Sequence, residues 1–366
     1  MSRASIRVAL GARGYDVIVG TGLLGELTRL LADTCPAPRY AIIADTHVAG
    51  RYGTPLRDLL ARTVPTILAT FPSGEPSKTR ETWAGLTDQL LAAGLGRDGA
   101  ILALGGGVTG DLAGFVAATY HRGIALVQLP TSLLAMIDSS VGGKTGVDTP
   151  AGKNLVGAFH QPRAVFADVD TLATLPPNQL AAGLAEALKH AAIADAAYFD
   201  RLVATRESVL LRDRDALIAT VTRSVEIKAA IVAEDEREQG RRAVLNFGHT
   251  VGHAVEAAAS YTLLHGEAIA IGMRVEAALG VRLGLTDADD ASRLTDALDR
   301  FGLPTGIPAA LTTDRVVEAA RQDKKSRAGT IRVSLMRRLG EPMHQNGEWS
   351  VPVAESALRA ALEACR

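Results

Sequence analysis

The chain has 366 residues, 47% of them hydrophobic, and its 40 acidic and 39 basic side chains nearly cancel to a formal net charge of −1. That balance supplies no global field for nucleic acid or an anionic membrane, so any anion must be gripped locally. The length exceeds what one hydrophobic core usually serves, which predicts two domains, and the widely separated Cys35 and Cys365 argue against a disulfide framework. The N-terminal residues carry no hydrophobic signal core, and no run of about 18 apolar residues occurs. The expectation is a soluble, unprocessed protein of a reducing compartment, by default the cytoplasm.

In chain order, short β-branched runs first alternate with amphipathic stretches: Ile6-Arg-Val-Ala-Leu, Tyr15-Asp-Val-Ile-Val, a helical pattern over residues 23–32, then the apolar run Tyr40-Ala-Ile-Ile-Ala. This is α/β rhythm. It continues through Thr66-Ile-Leu-Ala-Thr, a helix over 79–93, the strand Ala100-Ile-Leu-Ala-Leu, and a helical pattern over 111–120. Residues 131–170 are rich in Gly, Ser, Thr, Lys and Asp, a composition suited to site-forming loops. From about Asn178 the chain turns to alanine- and leucine-rich segments of helical period, at 180–194, 216–234, 249–259 and 267–283. A boundary near Pro177 divides the chain into residues 1–177 and 178–366.

Three features carry chemistry. Gly105-Gly-Gly-Val-Thr-Gly110-Asp111 follows an apolar strand and opens a helix, so backbone N–H groups could approach a pyrophosphate without Cβ obstruction. By itself this segment could be only a turn, and Ser73-Gly-Glu-Pro-Ser-Lys78 is a second such loop. His249 and His253 stand four residues apart, on one face of a helix, with His265 nearby, and imidazole pairs of this kind either hold zinc or simply face solvent. Glu186 could supply a carboxylate, though a solvated helix charge with Lys189 at i+3 as its partner fits equally. Finally, Arg122, Lys144, Lys153, Lys228, Arg242 and Lys324 are basic residues of a kind usually solvated at a surface, but several lie among glycines or beside apolar helices, which would suit a pocket for a polyanionic small molecule.

Together these segments resemble the 3-dehydroquinate synthases of the sugar phosphate cyclase superfamily. The resemblance runs over about residues 73–329. It is dense in the glycine turn and the residues after it to Ala117, Leu129-Pro-Thr-Ser-Leu-Leu-Ala, Asp138-Ser-Ser-Val-Gly-Gly-Lys-Thr, Gly152-Lys-Asn-Leu, Leu245-Asn-Phe-Gly-His-Thr, His265-Gly-Glu-Ala and Asp323-Lys-Lys. Thr131-Ser132 stands where the family usually has two threonines. The resemblance implies an α/β N-terminal nucleotide-binding domain plus a mainly α-helical C-terminal metal- and substrate-binding domain.

It also implies roles. The metal ligands become Glu186, His249 and His265, for zinc or cobalt, while His253 moves to the substrate phosphate. NAD contacts fall on Asp45, Ser73, Gly74, Glu75, Lys78, Gly106, Gly107, Val108, Thr109, Gly110, Asp111, Thr131, Ser132, Asp138, Lys144, Lys153, Thr171, Leu172, Ala173 and Thr174. Lys144, Asn154, Asn246, His253 and Lys324 would meet phosphate or nearby hydroxyls, with Asp138 also touching substrate. Lys228 and Arg242 would meet a carboxylate, and Lys189 would lie near the reacting hydroxyl. Lys144, Lys189, Lys228, Arg242, Asn246 and His253 form the implied catalytic set. Arg122 looks like the arginine lent by a neighbouring subunit, which implies a homodimer.

The implied substrate is a sugar-acid phosphate, 3-deoxy-D-arabino-heptulosonate 7-phosphate, closed to 3-dehydroquinate by transient oxidation, phosphate elimination, re-reduction, ring opening and aldol closure. The competing readings are a cyclase acting on sedoheptulose 7-phosphate, a metal-dependent alcohol or glycerol dehydrogenase, and a catalytically silent binding protein.

Overall fold

The computed structural model describes residues 3–322 and 330–366. Contacts group the chain into two compact units, Met1–Leu175 with Arg214–Ala233, and Pro176–Asp213 with Glu234–Arg366. The division is therefore not a single cut near Pro177. The helix Arg214–Glu234 carries Lys228 back into the first unit.

The first unit contains nine strands: β1 (Arg3–Val8), β2 (Tyr15–Gly20), β3 (Tyr40–Asp45), β4 (Thr66–Phe71), β5 (Ala100–Gly105), β6 (Ala125–Pro130), β7 (Lys144–Thr149), β8 (Gly152–Phe159) and β9 (Ala164–Asp168). Seven form one sheet in the order β1-β2-β9-β6-β5-β3-β4, in which β1 alone runs antiparallel to its neighbour. A parallel sheet needs cover on both faces, which explains why β3 and β5 read as unbroken apolar runs rather than as alternating ones. Period two still sorts their side chains. Ile42, Leu102 and Leu104 pack with Leu27, Leu31, Leu56 and Leu60 on one face, whereas Ile43, Ile101 and Ala103 pack with Leu86, Leu90, Leu112 and Val116 on the other. Burying one such side chain contributes roughly 1.5–3 kcal/mol, so these two layers dominate the stability of the unit.

The helix after β5 spans Gly107–Thr119, so the glycine turn forms its first turn rather than preceding it. Glycine here serves close packing: a Cβ at Gly114 would lie 2.4 Å from Thr145 Cγ2 on β7. Much of the stretch expected as loops is strand instead. β7 and β8 form an antiparallel hairpin, and β9 joins the main sheet. The hairpin escapes pattern reading because its contact is backbone on backbone; a Cβ at Gly157 would come 2.0 Å from the Thr145 carbonyl oxygen. Without alternating apolar side chains there is no period to detect.

The second unit is mainly helical, built from Pro177–Ala194, Ala196–Ala204, Arg206–Leu210, His249–Ala258, His265–Arg282, Ala288–Arg300, Thr313–Gln322 and Glu355–Ala364, with two small two-stranded pieces. Val251, Val255, Ile271, Val275, Leu279, Val316, Val317, Leu358 and Leu362 form its core. The helix His265–Arg282 meets two neighbours at backbone distance: a Cβ at Gly266 would lie 2.0 Å from Ala182 O, and one at Gly272 would lie 1.9 Å from Gly248 O. No helix among the described residues is long and apolar enough to cross a membrane.

Candidate active site

In the first unit, most of the residues implied for the nucleotide lie at the carboxyl ends of parallel strands, while Lys144 and Lys153 lie in the β7–β8 hairpin. Asp45 ends β3, Ser73 to Lys78 follow β4, the glycine turn follows β5, Thr131 and Ser132 follow β6, and Thr171 to Thr174 follow β9. The chain steps outward from β3 to β4 and then returns to the other side of β3 with β5, so β3 and β5 flank a topological switch point, where open α/β sheets bind ligands. The turn after β5 offers the free N–H groups of a helix N-terminus. Close approach demands its glycines, since a Cβ at Gly106 would lie 3.3 Å from Ser132 Oγ and one at Gly107 3.2 Å from Ser139 Oγ. These are features of a cradle for a dinucleotide pyrophosphate.

Side chains around this edge are tied to one another. Lys78 Nζ donates to Asp111 Oδ2 and to Asn154 Oδ1, both at 2.5 Å, and Asn154 N donates to Asp148 Oδ1 at 2.9 Å. Burial works against the Lys78 charge, but Asp111, Glu75 and Asp148 outweigh it and raise its pKa. Lys153 pairs with Glu75 at 3.0 Å. Asp45 accepts from the backbone N–H groups of His47 and Val48. Tyr52 OH lies 2.8 Å from Thr174 Oγ1 and donates to Thr171 O at 3.3 Å. Lys228 Nζ donates to both the carbonyl and the Oδ1 of Asp138, each at 2.7 Å, and Lys144 is exposed at the start of β7. Arg122 is exposed in a left-handed turn, with φ 67°.

In the second unit, three helices bring Glu186, His249, His253 and His265 together. The Nε2 atoms of His249 and His265 each lie 3.6 Å from the same oxygen, Glu186 Oε1. His253 stands beside both, its ring centroid 5.2 Å from that of His249 and 5.7 Å from that of His265. Glu186 is fully buried and pairs with the equally buried Lys189, so the reading of a solvated helix charge is corrected while its i+3 partner stands. Burial disfavours a charged His265, but Glu186 and Glu256 outweigh it and push its pKa up to about 9. The pocket strongly favours positive charge. Two imidazole nitrogens aimed at one carboxylate oxygen form a mixed N/O donor set that fits zinc or cobalt.

Further along, Arg242 is buried; its Nη1 donates to Glu236 O, and its N–H donates to Asp235 Oδ2 at 3.0 Å. Asp235 also accepts from Gln239 N and Gly240 N, so one carboxylate organises the loop that carries Arg242. Asn246 Nδ2 donates to Glu238 Oε1 at 2.7 Å. Lys324 lies outside the described residues. Sequence reasoning passed over Asp148, Asp235, Glu238, Glu256 and Glu276. For Glu256 a signal existed: it follows His249 at i+7 and His253 at i+3, on the same helical face. Glu276 had none, because it acts across helices, accepting from Gly248 N at 2.6 Å and Val251 N at 2.9 Å.

Comparison with known proteins extends the pattern over the whole chain. A family model described as 3-dehydroquinate synthase N-terminal matches residues 68–182, and one described as 3-dehydroquinate synthase C-terminal matches residues 183–326. A 3-dehydroquinate synthase of Caulobacter vibrioides (strain NA1000 / CB15N) is 48% identical over 368 aligned positions, covering 98% of this chain and 97% of that protein. Among solved structures, a 2-deoxy-scyllo-inosose synthase complexed with carbaglucose-6-phosphate, NAD+ and Co2+ is similar with TM-score 0.92 and 28% identity, covering 99% of this chain and 100% of that one. The 2-epi-5-epi-valiolone synthase ValA of Streptomyces hygroscopicus subsp. jinggangensis 5008, with NAD+ and Zn2+ bound, is similar with TM-score 0.86 and 32% identity, covering 96% of each chain. On these matches, and with imidazoles and a carboxylate converging as they do, the chain belongs to the 3-dehydroquinate synthase family.

Proposed function

We propose that this chain catalyses the reaction of its family, closing 3-deoxy-D-arabino-heptulosonate 7-phosphate to 3-dehydroquinate with loss of phosphate, as a step of aromatic amino acid biosynthesis. It is a lyase whose NAD is held by the turn after β5 and whose divalent metal is held by Glu186, His249 and His265. When bound, NAD supplies a reversible hydride acceptor and the metal a Lewis acid for hydroxyl oxygens. The observation that carries the reading is the pair of 3.6 Å approaches of His249 Nε2 and His265 Nε2 to Glu186 Oε1.

The chain's own residues grip and orient. Arg242 and Lys228 bind the substrate carboxylate, which a buried site accepts only with cationic partners. Lys144, Asn154, Asn246, His253 and Lys324 hold the phosphate and nearby hydroxyls, and Lys189 lies beside the reacting hydroxyl region. Fixing the phosphate matters as much as neutralising it, because a positioned leaving group can take the neighbouring proton itself.

We further assign a homodimer in which Arg122 reaches the phosphate of the adjacent subunit. In support, β8 pairs only with β7 among the described residues and exposes Leu155, Val156 and Phe159. Apolar strands with an open edge invite pairing with another chain. The cytoplasm is the proposed compartment, in keeping with two buried, unbridged cysteines.

Incubation of the pure protein with NAD, zinc and the acid substrate tests the reading. Equimolar phosphate and 3-dehydroquinate are expected; a linear product, or none, would refute it.

A further inference from the structure

We propose that Glu256 is a positioning residue for the metal centre, its buried carboxylate holding His265 through Nδ1 so that Nε2 is presented, with Glu186, to a divalent cation. The inference rests on the reading of Glu186, His249 and His265 as ligands.

A neutral imidazole has one lone pair for a metal, and the partner of the other nitrogen decides which atom carries it. At His249 that partner is the backbone. Phe247 O lies 3.2 Å from Nδ1, and a carbonyl oxygen only accepts, so Nδ1 keeps its hydrogen and Nε2 its lone pair. At His265 the corresponding place is taken by Glu256 Oε2, 3.5 Å from Nδ1. Both rings are thereby set alike, with Nε2 of each 3.6 Å from Glu186 Oε1.

Glu256 cannot itself bind the same ion, because it meets the opposite side of the ring. Its burial to 3% exposure nevertheless places a carboxylate where a charge is costly without partners. A carboxylate against a ligating imidazole both orients the ring and raises its basicity. The two histidines differ in one respect: the backbone contact at His249 survives any side-chain substitution, whereas that at His265 is a single side chain.

The test measures zinc and cobalt(II) dissociation constants of the full-length protein by chelator competition, together with the visible spectrum of the cobalt(II) form. Glu256→Gln, which keeps the shape and loses the charge, is expected to bind either metal about 10-fold more weakly and to shift the cobalt(II) bands; Glu256→Ala should lose nearer 100-fold. A Gln variant with wild-type affinity and spectrum overturns the proposal, and that variant decides should the Ala variant fail to fold. His265→Ala separates this inference from its premise. If it still binds metal at wild-type affinity, the ligand set falls and the role of Glu256 with it; if it loses metal while Glu256→Gln matches wild type, only Glu256 is misassigned.

Discussion

At the residue scale, the role proposed for Arg242 bears on the choice between candidate substrates. The proposed substrate carries a carboxylate that sedoheptulose 7-phosphate lacks, and a buried cation favours an anionic group over a neutral one. A charge-assisted hydrogen bond contributes roughly 1.5–3 kcal/mol, so Arg242→Ala should lower kcat/KM for the acid by about one to two decades. Steady-state assays on both sugars check this; an equal loss on both would show that Arg242 does not read the carboxylate. His160 gives a test of pH dependence. Its Nε2 donates to Ile124 O at 2.9 Å, and burial, only partly opposed by that hydrogen bond, holds its pKa below the ordinary 6.5. The folded chain therefore releases this proton more readily than the unfolded one. Stability from His160 is complete above pH 6.5 and declines as pH falls through and below it. Tm followed from pH 7.5 downward should fall less steeply in His160→Gln than in the wild type. Of the site at this scale, residue types were legible in sequence, whereas the burial that gives Glu186, Lys189 and Arg242 their force was not.

Among the elements, the crossing of helices sets the spacing of the proposed metal ligands. Gly266 follows His265 directly, and Ala182, whose backbone it touches, lies one helical turn before Glu186, so this contact sets the distance between two proposed ligands. Gly266→Ala would drive a methyl to 2.0 Å from Ala182 O, where backbone must move. Overpacking of this kind typically costs about 1–3 kcal/mol, and bound metal should be lost along with stability. Gly85 is the control: exposed within the helix Arg80–Ala92, its added Cβ meets nothing within 4 Å, so Gly85→Ala should be neutral or stabilise by up to about 1 kcal/mol. Denaturant midpoints and metal stoichiometry for the two variants check the contrast. Apolar period was enough to find β3, β5 and the long helices. The β7 and β8 hairpin stayed hidden because its packing is carried by glycine backbone rather than by a repeating side-chain pattern.

For the whole molecule, the proposed reaction is redox-neutral only if the hydride that NAD accepts is returned within the same turnover, while the metal, as a Lewis acid, is not consumed. Chelation should abolish activity, with zinc or cobalt restoring it, and many product molecules should form for each NAD supplied. Product analysis and absorbance at the NADH band check this. One NADH accumulating per product would favour a dehydrogenase, and full turnover in metal-free protein would remove the metal from the mechanism. What the sequence alone determined was local: alternation of strand and helix, a glycine turn able to meet a phosphate, imidazoles on one helical face, and ordered motifs marking the family. Glu186, which the resemblance had singled out, meets those imidazoles in the tertiary structure, and tertiary structure alone decided that Glu256 and Glu276 are buried partners rather than surface charges and that the helix bearing Lys228 joins the earlier half of the chain. The reason is that backbone period fixes neighbours only within an element, while partners across elements are chosen by packing, which no local pattern records.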